Sequence, residues 1–166
     1  MAPPPSTSVR APTVRTAPSI PLGAAIVGLG SLLVLVGGFL PHVQISFGGA
    51  SAGSNLVHED WHVGAAIAIG IGLVLLAIAS VVQPRQPGMV GLQGLTGFAA
   101  LVVGLLDWNT LSDQISQAND AIRGFASSVG YSAYAPHISI GLGVWSVIVG
   151  GIVALAGSVV SAIRKI

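Results

Sequence analysis

Residues 138–163 read "ISIGLGVWSVIVGGIVALAGSVVSAI", a run without a single charge. Within it Gly143, Ser146, Gly150, Ala154, Gly157 and Ser161 recur at alternating three- and four-residue steps. A period near 3.5 residues keeps one stripe of small side chains on one side of a helix and favours a left-handed crossing. The run is also long enough to cross ~30 Å of hydrocarbon as a helix. In lipid the backbone must satisfy its own hydrogen bonds, so helix is the expected state despite the many β-branched residues.

Three more apolar runs share these properties, at residues 20–40, 61–82 and 89–106, and none contains a charged side chain. Each has small residues on one side: Gly23, Gly30 and Gly37 in the first, Gly64, Ala68 and Gly72 in the second, Gly97, Ala100 and Gly104 in the third. Because lipid tails are as apolar as leucine, membrane helices associate where small residues let backbones approach. The expected fold is therefore all-α, an antiparallel four-helix membrane bundle over residues 20–166, with the small-residue sides turned inward.

Composition agrees. Of the 166 residues 7% are charged and 52% hydrophobic, and mean hydropathy is +0.86. Eleven charges cannot clothe a soluble globule of this size. The net charge of +1 gives no reason to expect a nucleic-acid partner, and the absence of cysteine removes disulfides and thiolate chemistry.

The charges also set a direction. Arg10 and Arg15 precede the first run, Arg85 lies in the short "QPRQPG" turn, and Arg164 and Lys165 close the chain. Glu59, Asp60, Asp107, Asp113 and Asp120 all fall in the alternate loops, with Arg123 the one basic residue beside them. The positive-inside rule then places both termini in the cytoplasm and two loops outside the plasma membrane. The tail, residues 1–19, is rich in Pro, Ser and Thr and reads as disordered. "ASAG" at 50–53 offers a signal-peptidase pattern, but it lies too far beyond an apolar run too long for a signal peptide.

The second outer loop is longer than a connector needs to be. Leu111, Ile115, Ala118, Ile122, Phe125 and Val129 repeat at helical spacing between polar residues, which predicts a separate amphipathic helix over about 110–129. Thr110 is its expected N-cap and Gly130 its expected end. With one Arg and two Asp on its polar face it does not suit an anionic lipid surface. It is expected to lie as a lid across the bundle or to receive a protein. Gln93, an amide within the third run, is expected to bond a neighbouring helix or to reach the cytoplasmic surface.

One motif carries chemistry. His58-Glu59-Asp60-Trp61-His62 spells H-E-x-x-H, in which two histidines four apart share a helix face and can hold zinc, with Glu59 activating water. His42, Asp107 or His137 are candidates for a further ligand, since all belong to the same outer side. The motif resembles that of zinc metallopeptidases over these five residues only. Intramembrane zinc proteases of the site-2 type take a third ligand from L-D-G, where this chain has "LLDWN", and their site lies nearer the cytoplasm. Glu59 and Asp60 equally suit the positive end of a helix dipole, and Trp61 suits a membrane interface. The expectation is thus no catalytic residue, no metal and no cofactor, the alternative being an outward zinc site on His58 and His62 with Glu59 as base.

Taken along its length, the chain resembles the small four-helix membrane proteins of high-GC Gram-positive bacteria. The residues that carry the likeness are "GGFLPHV" at 37–43 and "GLGVWSVIVGGIVALAGS" at 141–158. The resemblance implies the fold and brings no functional residues. The expected role is non-enzymatic: an accessory or scaffold subunit whose partners are the bilayer and another membrane protein or further copies of itself.

Overall fold

A computed structural model describes residues 21–54, 61–83, 87–131 and 135–163. Four helices form the bundle: α1 (Leu22–Phe39), α2 (Trp61–Val82), α3 (Pro87–Ser128) and α4 (Leu142–Ile163). All four are long and apolar enough to cross a membrane. Their outward faces carry Leu29, Leu32, Leu75, Ile78, Leu95, Phe98 and Ile152, exposed side chains that suit lipid rather than water.

The tightest pairing joins α1 to α4 along glycines spaced seven apart on both helices. A Cβ on Gly30 would stand 2.7 Å from the carbonyl oxygen of Gly150, and one on Gly150 would stand 2.7 Å from the amide nitrogen of Val34. The same meeting recurs one heptad away on each side. Gly23 lies against Gly157 and Ser161, while Gly37 lies against Gly143 and Val147. Here two backbones touch, which is how small residues hold helices together where no hydrophobic driving force exists. Of the stripe predicted in α4, Gly143, Gly150, Ala154 and Gly157 are buried, and Ser146 and Ser161 half-buried.

The third helix meets α4 through Gly97, against Ala154, and Gly104, against Ile148. Gln93 is buried on the same stripe and donates to the Leu76 carbonyl and to Ser80 Oγ of α2, each at 3.1 Å. That is the interhelical bond expected of it. In α2, by contrast, the stripe of Gly64, Ala68 and Gly72 faces away from the other helices. The buried side is Val63, Ala66, Gly70, Leu73 and Ala77. Gly70 makes the close approach there, where a Cβ would come 2.8 Å from Leu35 Cα.

Two features depart from the expected all-helical chain. A three-stranded antiparallel sheet, ordered β2-β1-β3, is built from β1 (Val43–Phe47), β2 (Ala50–Ser54) and β3 (His137–Ile140). Gly48 and Gly49, at φ +57° and +87°, close the β1–β2 hairpin in the mirror-image turn that matches strand twist. The fourth helix therefore begins at Leu142, because residues 137–140 are a strand on β1.

The segment 110–129 is helical, but it is not a separate element. α3 runs unbroken from Pro87 to Ser128, so Thr110 lies mid-helix and caps nothing. No Pro or Gly falls between Gly104 and Gly124, and a change from apolar to polar surroundings does not itself end a helix. The end comes where expected. Gly130 adopts φ +77°, the Tyr131 N–H reaches the Ala126 carbonyl at 2.9 Å and the Gly130 N–H reaches Ser127 at 3.3 Å. This is a Schellman cap. The far half of α3 packs on the sheet: Leu111 and Ile115 sit among Val43, Ile140, Val144 and Ile148.

Candidate functional site at the sheet end of the bundle

The junction between bundle and sheet is built on Pro41 and His42. After α1 the chain turns extended at Leu40, and the main chain of His42 then links β2 to the end of β3. Its N–H donates to the Ser54 carbonyl at 3.2 Å, and its carbonyl accepts from the Gly141 N–H at 2.8 Å. Gly141 and Gly143 make this seating possible. A side chain on Gly141 would strike the Pro41 carbonyl, and one on Gly143 would lie 2.7 Å from the Leu40 carbonyl and 2.9 Å from His42 Cε1.

The His42 ring is 1% exposed. Its Nδ1 lies 2.9 Å from the Leu40 carbonyl oxygen, and its Nε2 lies 3.7 Å from Oδ2 of Asp107, whose side chain is 6% exposed. Asp107 continues the buried stripe of α3 between Gly104 and Leu111. One buried carboxylate and one buried imidazole thus connect the third helix to the strand junction.

Tryptophans ring the same level. Trp61 opens α2, and Trp108 and Trp145 pair with ring centroids 6.0 Å apart, joining α3 to the first turn of α4. All three are exposed, as interfacial aromatics are. Trp145 lies in the first turn of α4 because that helix starts at Leu142, four residues after the apolar run begins.

Among the described residues, the candidate ligands lie as follows. His62 is half-buried in the first turn of α2 with its ring 3.9 Å from that of Trp61. His137 is exposed at the far end of β3, opposite Ser46, four ladder positions from His42 and so about 13 Å away. His58, Glu59 and Asp60 lie outside the described residues. Among the described residues no group of three or more metal-ligating side chains occurs. From the predicted set the fold brings His42 beside Asp107.

A residue that sequence reasoning passed over is Asn119. It is buried on the apolar side of α3, and its side-chain amide takes both backbone groups of Ile138. Nδ2 donates to the carbonyl at 2.8 Å, and Oδ1 accepts from the N–H at 2.9 Å. In the β1–β3 register Ile138 pairs with Ile45 and turns its polar groups outward, so Asn119 closes that edge of the sheet. A signal was present: Asn119 lies four residues after Ile115 and three before Ile122, which puts an amide on the buried face.

The other edge is different. All five residues of β2 are exposed, and none is charged or proline. Counting pairs back from the Gly48–Gly49 turn, Ser51 and Gly53 point their N–H and C=O groups away from β1. Further along α3, an open apolar groove of about 580 Å³ is walled by Ile122, Phe125, Val129, Tyr131 and Pro136. No protein-family model and no characterised protein matches the chain.

Proposed function

We propose that the chain is a non-enzymatic multi-pass protein of the plasma membrane, with both termini in the cytoplasm and the sheet end outside. It serves there as an accessory or scaffold subunit of a larger membrane complex. The orientation is supported by the placement of charge: Arg85 falls in the sequence between α2 and α3, while Asp107, Asp113 and Asp120 stand in the half of α3 that packs on the sheet. The subunit role rests chiefly on the asymmetry of the sheet. One edge is closed by an amide that satisfies both groups of Ile138, whereas the β2 edge is left without charge, proline or covering strand among the described residues. An edge of this kind receives an added strand readily. The two spans packed against α4, α1 and α3, and the glycine seams give a rigid base for such an edge.

The experiment is purification of the full chain from native membranes in mild detergent, with mass spectrometry and stoichiometry. A defined partner that is retained by wild type and lost in Ser51→Pro supports the reading. That substitution removes an outward N–H while leaving the β1–β2 bonds in place. Recovery of monomer alone from native membranes refutes it.

A further inference from the structure

The two faces of the sheet differ in chemistry, and they meet at its open edge. Paired residues of an antiparallel ladder point to the same side, so Val43, Ile45 and Phe47 share a face with Ser54, Ala52 and Ala50. Gln44, Ser46, Ser51 and Gly53 belong to the other, polar face. The bundle covers one end of the apolar face, where Val43 and Ile140 pack on Leu111, Val144 and Ile148. Farther along, Ile45 stays 44% exposed and Phe47 55% exposed. Their β2 neighbours, Ala52 and Ala50, end at Cβ and are too small to cover them.

We infer that the partner segment received by β2 is an extended strand alternating bulky apolar with polar residues, the apolar ones lying opposite Ala50 and Ala52. This rests on the reading of β2 as the receiving edge and adds the chemistry of what it receives. Ser51 and Gly53 turn both N–H and C=O outward, and a strand that continues the antiparallel order of the sheet returns a bond to each. Hydrogen-bonded pairs then form at Ser51 and Gly53. Ala50 and Ala52 fall in the alternate pairs, where side chains approach more closely. From a strand about 4.8 Å beyond β2, a leucine or phenylalanine can lean over an alanine methyl group onto Ile45 or Phe47. Its neighbours along the strand emerge on the face of Ser51 and Gly53, where polar side chains fit. Neither β1 nor β2 carries a charge, so shape and apolar contact select the segment rather than an ion pair. A second copy of β2 would bring Ala, Ser and Gly and leave Ile45 and Phe47 uncovered, so the occupant is a different strand.

The test is amide exchange at Ser51 and Gly53 in the full chain in detergent, with short capped peptides carrying lysine at both ends. One peptide alternates threonine with leucine, a second alternates threonine with serine, and a third has the first one's composition with its leucines consecutive. The alternating threonine–leucine peptide should slow exchange at Ser51 and Gly53 by about tenfold or more, and the other two should not at the same concentration. Ile45→Thr combined with Phe47→Ser should erase that preference, since it keeps the edge and removes the apolar contact. Exchange of the β1 amides without peptide reports whether this variant folds, and Phe47→Ser alone, at an exposed position, decides if it does not. Exchange slowed by none of the peptides, slowed equally by all three, or slowed with the same preference in the variant overturns the inference. Those outcomes leave the subunit role standing, because a partner that Ser51→Pro releases can be held in other ways. Recovery of monomer alone from native membranes removes that role whatever the peptides do.

Discussion

Substituting Gly30 by Ala should loosen the α1–α4 pair by an amount the coordinates allow one to work out. The added Cβ would stand 2.5 Å from the amide nitrogen of Ala154 and 2.7 Å from the Gly150 carbonyl oxygen. Comfortable carbon contacts begin at about 3.5 Å, so the backbones must part by about 1 Å. Neither neighbouring atom can swing away, because both belong to helix backbone. Overpacking of this kind costs about 1–3 kcal/mol, against which alanine returns up to about 1 kcal/mol of helix propensity. The net loss of about 1–2 kcal/mol corresponds to a Tm lower by about 2–8 °C for a chain of this size. Trp61, Trp108 and Trp145 supply the fluorescence for a thermal scan in detergent. Gly28→Ala is the internal control, since nothing lies within 4 Å of its added Cβ; its Tm should hold or rise. Gly150→Ala should match Gly30→Ala, and the double variant should lose less than the sum, because one separation accommodates both methyl groups. Equal Tm values for Gly28→Ala and Gly30→Ala would falsify the view that backbone contact holds this seam.

Asn119→Ala should leave the outward N–H and C=O of Ile138 unpaired, costing about 1–3 kcal/mol. Amide exchange at Ile138 should rise well above that at Val43, and no rise means that the edge is closed by something else. The cysteine-free sequence also permits a direct test of orientation. A single cysteine replacing Gln117 should react with an impermeant maleimide on intact cells, whereas one replacing Gln86 should react only after permeabilisation. The reverse pattern rejects the proposed topology.

The four spans and the glycine seam could be read directly because lipid imposes so few solutions: uncharged runs of the right length, and small residues where helices meet. Gly23, Gly30 and Gly37 on one helix and Gly143, Gly150 and Gly157 on the other are visible as heptads before any coordinates are known. The stripe of Gly64, Ala68 and Gly72 had the same appearance and proved to face outward, since spacing alone cannot say which side of a helix finds a neighbour. The sheet was harder to see. Val43, Ile45 and Phe47 alternate with Gln44 and Ser46 and precede a Gly-Gly turn, a hairpin signal on one side only. Its partner "ASAGS" has little strand propensity, and "HISI" merges into an apolar run that continues as helix. The length of α3 is hidden by chemistry at Asp107–Trp108–Asn109, where the side chains change from apolar to polar and the helix does not end. At the junction, His42 and Asp107 were both candidates, but only the folded chain shows that each faces the other.

The unbroken course of α3 has a mechanical consequence. At about 1.5 Å per residue the helix is about 63 Å long, and about 32 Å of it lies beyond Asp107. A rod of that length makes no distinction between membrane and solvent. If its apolar half tilts by about 10°, as spans do when bilayer thickness changes, the far end travels about 5 Å. Asn119 fastens β3 to the same rod, so the sheet is carried along. A tilt of the apolar half would thus carry the open strand and the apolar groove with it.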